Sequence, residues 1–355
     1  VYKMETKKQN KFLNWVKKNK LDLIIYFGFI LTIFILITLA VGPQYKKINT
    51  NEAFNPTALR IAKFEIQWYA IFILSGIVLA AIMASYEFKR FGWKTEDLLD
   101  GLLIIVPLSI IGARLYYVLF LADGNITSIG EVFAIWEGGL AIHGAIIVAT
   151  IGAILFSRRK KLNIWVVADI LAVGLLMGQI TGRWGNFMNA EAHGGETSNK
   201  FLFAVLPKFI HHQMQFSSYK PNLFNSGLIY QPTFLYESLW NFIGFTALMI
   251  VRRKRILKTG DILGIYLIWY GFGRGVLVEP LRTDQLMIFG MPVNIILSLI
   301  LFVGGGTLLL ILKRVINKNE EYYYDLAQYN EINIFNKEGK NANNNTIWFR
   351  WDFNW

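Results

Sequence analysis

The sequence predicts an all-α, multi-pass membrane protein with about eight transmembrane helices and a small extracellular cap. Of its 355 residues, 54% are hydrophobic, and the mean hydropathy is +0.39. A water-soluble domain of this length has too little interior to bury that much apolar side chain. The apolar residues also form long blocks, because residues 21–41 contain a single charge, Asp22, and residues 66–84 contain none. Such stretches are typical of helices that cross a bilayer.

Eight segments have this character and define the predicted organisation. They lie at 21–41, 66–86, 98–120, 139–157, 164–186, 232–251, 262–279 and 294–312. The first is predicted to remain as an extra N-terminal anchor, because it is too long for a signal peptide and no small-residue cleavage site follows it. The other seven form a core at 66–312 that includes the cap at 190–231. Residues 1–20 form a basic arm, and residues 313–355 form a tail.

The distribution of lysine and arginine predicts the orientation. Basic residues concentrate in the N-terminal arm and after the second, fourth, sixth and eighth spans. The loop 121–138 contains no basic residue, and the loop 280–293 contains only Arg282. Basic loops favour the cytoplasm, so both termini are predicted inside the cell and the cap outside the plasma membrane. The loop 42–65 is the exception, since it carries Lys46, Lys47, Arg60 and Lys63.

The net charge of +12 would suggest nucleic-acid binding in a soluble protein. Here the topology accounts for the basic loops, so we expect a membrane setting and no nucleic-acid partner. The chain contains no cysteine, which excludes disulfides and a cysteine nucleophile of its own. The four histidines show no metal-binding spacing, so we expect no metal and no other cofactor.

Polar residues recur at a similar depth near the outer ends of six spans. Charges inside a membrane cost about 2.5–3.5 kcal/mol each on insertion scales, so they need a partner or a function. Arg183 and Asn186 are three residues apart, and Tyr270 and Arg274 are four apart, so each pair shares one helix face. The whole set comprises Tyr69, Arg114, His143, Arg183, Asn186, Asn189, Glu237, Tyr270, Arg274 and Glu279. Convergence of these groups at one depth predicts a functional site.

Some of these residues have a structural alternative. His143 can be a hydrogen-bonded packing residue instead of a catalytic base. Arg114 and Glu279 can form a structural ion pair or anchor the membrane interface.

Other polar residues are expected to lie outside the site. Asp169 lies fourteen residues before Arg183, which is about 21 Å along a helix, so it is predicted to be structural. His193, His211 and His212 fall in the cap and are predicted to be solvated.

Two arginines in the outer leaflet suit the phosphate of a lipid. A guanidinium group stays charged and presents a fork of donors that matches phosphate oxygens. A nearby histidine can deprotonate a thiol, whose ordinary pKa is about 8.5. Attack on a glycerol carbon expels a phosphate ester, and this leaving group needs electrostatic stabilisation. The residues therefore predict transfer or hydrolysis that involves an anionic phospholipid.

The segment 182–191, GRWGNFMNAE, resembles the signature G-R-x-G-N-F-x-N-x-E of the prolipoprotein diacylglyceryl transferase family. The segments 139–144, 231–237 and 270–283 are also similar to that family, in the same order, and the resemblance covers roughly residues 66–312. The span at 21–41 precedes the seven that are usual in the family. The resemblance implies transfer of an sn-1,2-diacylglyceryl group from phosphatidylglycerol to the lipobox cysteine of a prolipoprotein signal peptide. A thioether forms and glycerol phosphate leaves, as the first step of lipoprotein maturation.

The resemblance also implies roles for individual residues. His143 would be the general base, Arg183 would bind the lipid phosphate, and Arg274 would stabilise the leaving group or gate the site. The residues that would line or shape the substrate pocket are Asn186, Glu191, Gly194, Glu237, Tyr69 and Tyr270.

Three other functions are compatible with some of these features. A transporter or flippase of anionic lipids would use the same arginines without a chemical step, but no internal repeat is visible and the site is not at the midplane. A polytopic hydrolase would need a nucleophile, and the GxSxG motif is absent. A structural scaffold does not account for so many costly charges.

Overall fold

The computed structural model describes residues 16, 19–62, 64–120, 128–134, 139–283, 287–288, 290–316 and 321–327. Eight helices within these residues are long and apolar enough to cross a membrane. From the first span to the eighth they are Lys20–Lys47, Trp68–Arg90, Thr95–Phe120, Ile142–Lys160, Ile164–Met188, Thr233–Val251, Asp261–Leu281 and Val293–Ile316. The prediction of an all-α membrane protein with eight spans is confirmed.

Three of the spans are not regular α-helices throughout. The first changes to a 3₁₀ helix at Gly42–Lys47. The seventh is α-helical over Asp261–Phe272 and then continues as a π-helix at Gly273–Val278 and a 3₁₀ turn at Glu279–Leu281. The eighth contains a π-helix at Leu297–Gly304. Such π-helical turns often occur at functional sites, and the one in the seventh span contains Arg274.

Shorter elements connect the spans. Strands Thr57–Ile61 and Phe64–Gln67 form an antiparallel hairpin before the second span. A short helix, Ile129–Phe133, precedes the fourth. In the cap, strands Glu196–Thr197 and Ile229–Tyr230 pair around helices Lys200–Val205 and Lys208–Gln213. Strands Met287–Ile288 and Met291–Pro292 pair before the eighth span.

Several predicted regions lie outside the described residues. These are the basic arm apart from residues 16, 19 and 20, residue Lys63, the segments 121–127 and 135–138 of the outer loop, and the tail at 317–320 and beyond 327.

The fifth, sixth and seventh spans form the centre of the bundle. In the fifth span 56% of the most apolar stretch is buried, and in the sixth and seventh 44%, compared with 22% or less in the other five spans. Peripheral spans expose large apolar side chains such as Leu103 (74% exposed) and Ile300 (70% exposed). Such a surface is stable against lipid tails, so the central spans are the ones that can hold polar groups away from lipid.

Asp169 holds the start of the seventh span in place. Its carboxylate is fully buried and accepts hydrogen bonds from the backbone N–H groups of Gly260 (2.6 Å) and Leu263 (2.9 Å). The first N–H groups of a helix have no partner within the helix, so a carboxylate from a neighbouring span satisfies them. These contacts agree with the structural role predicted for Asp169.

The histidines of the cap do not lie where the sequence predicted. His193 is fully buried, its Nε2 lies 2.7 Å from Ser217 Oγ, and its ring stacks on Tyr230 at 4.1 Å between centroids. His212 is 2% exposed, its Nε2 lies 3.0 Å from the Glu52 carbonyl oxygen, and burial lowers its pKa. The prediction that the cap histidines are solvated is therefore wrong for these two, because their rings pack against aromatic side chains such as Tyr230 and Phe216.

Candidate active site

Two arginines from different central spans share one carboxylate. Glu237, at the start of the sixth span, is 2% exposed. Its Oε1 lies 2.6 Å from Nη2 of Arg183 on the fifth span, and its Oε2 lies 3.0 Å from Nη1 of Arg274 on the seventh. The shared ion pair stabilises two guanidinium groups side by side at the end of the bundle that carries the cap.

A second carboxylate holds Arg274 from the other side. Nη2 of Arg274 forms an ion pair with Glu279 Oε2 at 3.1 Å. Glu279 is fully buried and also accepts a hydrogen bond of 2.8 Å from Asn294 Nδ2 at the start of the eighth span. Asn294 was not among the predicted site residues, although a polar residue at the outer end of an apolar span is a signal that could have indicated it.

The two arginine side chains of the site are more exposed than its two carboxylates. The side chains of Arg183 and Arg274 are 19% and 14% exposed, whereas those of Glu237 and Glu279 are 2% and 1% exposed. The arginines are therefore accessible and the carboxylates lie behind them. A guanidinium group carries five N–H donors, so each arginine can bind an anion while it keeps its ion pair. The accessible charge of the site is positive.

The signature segment continues the network away from Arg183. Arg183 Nη1 donates to Asn186 Oδ1 at 3.3 Å, and Asn186 Nδ2 donates to Glu191 Oε1 at 2.9 Å. Asn189 Nδ2 donates to the same Glu191 oxygen at 3.3 Å. The predicted face shared by Arg183 and Asn186 is thus formed, and Glu191 orients the amide that touches Arg183.

Gly194 connects the cap to the site. Its N–H donates to the Gln231 carbonyl oxygen at 2.9 Å, and the N–H of Gly195 donates to the Leu281 carbonyl oxygen at 3.0 Å. A Cβ atom at Gly194 would lie 2.6 Å from both Gln231 Cβ and the Leu281 oxygen. Only glycine allows this approach, which joins the cap to the end of the seventh span.

The two predicted tyrosines lie on spans that border the arginines. Tyr69 packs against Gly185, and a Cβ atom there would lie 2.7 Å from Tyr69 Cδ2. Gly185 is two residues from Arg183 in the fifth span. Tyr270, one helical turn before Arg274, stacks on Tyr266 with 6.0 Å between ring centroids and contacts Phe302 edge-on at 5.3 Å.

In the part of the chain that the structure describes, His143 is not part of this network of ion pairs and hydrogen bonds. It lies in the first turn of the fourth span, its side chain is exposed, and its ring lies 5.8 Å from that of Tyr116. Among the described residues, no hydrogen bond or ion pair links His143 to Arg183, Arg274 or Glu237. Its role as a base therefore stays a prediction.

Arg114 binds the loop before His143. Its guanidinium donates to the backbone carbonyl oxygens of Glu131 (2.5 Å), Val132 (3.2 Å) and Gly139 (3.3 Å), and it is 5% exposed. These contacts are the kind expected of a structural arginine that fixes a loop at the end of the bundle.

The fold and this site define a multi-pass helical membrane protein with an accessible arginine pair, backed by buried carboxylates, at one end of its central spans. Known proteins are similar to this chain in sequence over most of its length. The chain belongs to the prolipoprotein diacylglyceryl transferase family, whose model matches residues 56–311. The predicted family is confirmed.

Relatives from several bacteria are similar in sequence. The phosphatidylglycerol–prolipoprotein diacylglyceryl transferase of Listeria welshimeri is 43% identical over 278 residues, which cover 78% of this chain and 96% of that protein. The protein of the same name from Streptococcus pneumoniae is 42% identical over 277 residues, which cover 78% of this chain and 99% of that protein. The first span precedes the residues that the family model matches.

Proposed function

We propose that this chain transfers an sn-1,2-diacylglyceryl group from phosphatidylglycerol to the lipobox cysteine of a prolipoprotein. The observation that carries the proposal is the accessible Arg183–Arg274 pair held by the buried Glu237. Such a pair matches a phosphate group in charge and geometry. The names of the relatives supply the donor lipid and the protein acceptor.

The reaction is a substitution at a glycerol carbon. The cysteine sulfur of the substrate attacks the carbon that carries the phosphate ester of phosphatidylglycerol. The S–C bond forms, the C–O bond breaks, and glycerol phosphate leaves with the electron pair. Because this chain contains no cysteine, the thiol belongs to the acceptor.

Each arginine has a separate part in this step. Arg183 binds the phosphate of the donor lipid, and Arg274 stabilises the negative charge that grows on the leaving phosphate. His143 takes the thiol proton as general base. The pocket around them is shaped by Asn186, Glu191, Gly194, Glu237, Tyr69 and Tyr270.

The setting follows from the predicted orientation. The arginine pair lies at the cap end of the bundle, and the distribution of basic loops predicts that this end faces the outer side of the plasma membrane. Phosphatidylglycerol then enters from the outer leaflet, and the acceptor presents its signal peptide within the membrane with the cysteine near the outer surface.

The direct test is a mass measurement on a lipobox peptide incubated with the purified protein and phosphatidylglycerol. We expect the peptide to gain one diacylglyceryl group and glycerol phosphate to appear in equal amount. The matched control is the same peptide with serine in place of cysteine, which should stay unmodified. Folded protein that gives no product would contradict the proposal and favour transport of anionic lipid through the same site.

Replacing His143 with glutamine tests whether this residue acts as the general base. We expect His143→Gln to lower the transfer rate about 10²–10⁴-fold at neutral pH. The loss should shrink as the pH approaches the ordinary thiol pKa of about 8.5, because the thiol then ionises without a base. The measurement is the pH–rate profile of both proteins.

The half-buried cap residue His211 offers a matched control, and His211→Gln should leave the profile unchanged. An activity of His143→Gln equal to the unsubstituted protein at neutral pH would remove His143 from the chemistry.

A further inference from the structure

Two tryptophans join the sixth and seventh spans beside the arginine pair. The indole Nε1–H of Trp240 donates to the Trp269 carbonyl oxygen at 2.9 Å, and that of Trp269 donates to the Trp240 carbonyl oxygen at 3.0 Å. The two rings stack with 4.0 Å between their centroids and 10° between their planes. We call these two residues the tryptophan clasp. Because each ring binds the backbone of the other span, sliding one span along the other would break both hydrogen bonds.

Two glycines allow the rings of the clasp to lie close to the neighbouring backbone. A Cβ atom at Gly244 of the sixth span would lie 2.6 Å from Trp269 Cδ1. A Cβ atom at Gly273 of the seventh span would lie 3.0 Å from Trp240 Cγ and would also overlap Cδ1 and Nε1 of that ring. A larger residue at either position would therefore displace the ring that packs on it.

The clasp meets the seventh span where its helix type changes. The α-helical part ends at Phe272, and the backbone N–H of Gly273 donates to the Trp269 carbonyl oxygen. This is the same oxygen that accepts from the Trp240 indole. The π-helix begins at Gly273, and Arg274 is its second residue. The clasp thus binds the backbone at the junction that immediately precedes Arg274.

The π-helix allows the ion pair between Arg274 and Glu279. In a regular α-helix, residues five apart point about 140° away from each other. In a π-helix the backbone hydrogen bonds join residues five apart, so such residues share one face. The Glu279 N–H donates to the Arg274 carbonyl oxygen in this pattern, and the two side chains pair at 3.1 Å.

The clasp is also close to the other partner of Arg274. Glu237 lies three residues before Trp240, which is less than one turn of the sixth span. Its Oε2 lies 3.0 Å from Arg274 Nη1. The position of the sixth span relative to the junction therefore determines where Arg274 lies between its two carboxylates.

We propose that Trp240 and Trp269 are positioning residues, which hold the π-helix so that the Arg274 guanidinium group faces the leaving phosphate. An indole has a single N–H donor, and both of these donors are used within the clasp. The two residues therefore act on Arg274 through the backbone and do not bind the substrate. This inference rests on the proposed function, in which Arg274 stabilises the leaving group.

The principal test is Trp240→Phe, which keeps an aromatic ring against Trp269 and removes the indole N–H. We expect kcat for transfer to fall about three- to tenfold, as for one lost hydrogen bond. The KM for phosphatidylglycerol should stay unchanged, because Arg183 still binds the phosphate. Gly273→Ala displaces the Trp240 ring and should lower kcat further, about 10–100-fold. The measurement is steady-state transfer to the lipobox peptide at several phosphatidylglycerol concentrations.

Trp93→Phe is the matched control. It makes the same change beyond the far end of the second span, where the Trp93 ring packs against Phe88 and Phe91. Its kcat and KM should equal those of the unsubstituted protein. An equal loss of kcat in Trp93→Phe and Trp240→Phe would contradict the proposal.

A double-mutant cycle separates positioning of Arg274 from general loss of stability. If Trp240 acts through Arg274, adding Trp240→Phe to Arg274→Gln should lower kcat by less than a further twofold. A loss of the same size in both backgrounds would mean that the clasp only packs the bundle. A rise in KM with kcat unchanged would likewise overturn the proposal, since it would indicate a role in lipid binding.

Hydrogen–deuterium exchange gives a readout that does not depend on transfer. We expect the backbone amides of residues 274–279 to exchange faster in Trp240→Phe and at an unchanged rate in Trp93→Phe. Absence of transfer by the unsubstituted protein would refute the proposed function, and faster exchange in Trp240→Phe would still support the hold of the clasp on the π-helix. Unchanged exchange together with normal transfer by Trp240→Phe would refute the clasp and leave the proposed function intact.

Discussion

Replacing Arg183 with alanine is expected to lower kcat/KM for diacylglyceryl transfer about 10²–10³-fold. Removing one preorganised donor from a developing negative charge commonly costs this much. Arg183 is one of two accessible partners of the buried Glu237, so its loss also leaves that carboxylate with Arg274 alone. The measurement is steady-state transfer to the lipobox peptide at several phosphatidylglycerol concentrations.

Two further variants test whether the loss of activity is specific to the guanidinium group of Arg183. Arg183→Lys keeps the charge but not the forked donors, and should recover part of the activity. Arg60→Ala removes a 69% exposed arginine from the outer hairpin and should retain full activity. Near-normal transfer by Arg183→Ala protein that inserts and purifies normally would exclude Arg183 as the phosphate anchor.

Replacing Glu237 with glutamine is expected to lower kcat about 10²-fold. Glutamine keeps the shape of the side chain but loses the charge, and its amide N–H₂ would face one of the two guanidinium groups. Breaking a buried ion pair typically costs about 3–5 kcal/mol. We expect part of this cost to raise the activation free energy, because Arg183 and Arg274 are no longer held in position. A fall in kcat that exceeds the rise in KM would indicate loss of transition-state stabilisation rather than of lipid binding.

A double-mutant cycle separates positioning from general damage. If Glu237 acts by positioning Arg274, then Glu237→Gln combined with Arg274→Gln should be little worse than Arg274→Gln alone. A larger loss in the double variant would show that Glu237 also acts through its other ion-pair partner, Arg183. Glu65→Gln, a change of the same kind in the exposed hairpin, should not alter transfer.

The local part of the site follows from the sequence. The spacing of Arg183 and Asn186 predicts a shared helix face, and the two side chains form a hydrogen bond of 3.3 Å. The signature that contains them indicated the family that the relatives confirm. Both inferences depend on residues within one helical turn or one continuous motif, so no knowledge of packing was needed.

The connections between spans did not follow from the sequence. Glu237 is 54 residues from Arg183 and 37 residues from Arg274, and it was expected only to line the pocket. That one carboxylate holds both arginines depends on how the three central spans pack. Asn294, which supports Glu279 from the eighth span, was not identified at all.

By itself the sequence determined that this chain is an eight-span membrane protein of the prolipoprotein diacylglyceryl transferase family, with its polar residues near one end of the bundle. The hydropathy of each segment and a contiguous motif can be identified from neighbouring residues, so these predictions did not require the tertiary structure. The tertiary structure alone decided that the arginines are backed by buried carboxylates and that His193 and His212 are buried. These features depend on burial and on pairing between distant residues, and both exist only once the spans have packed together.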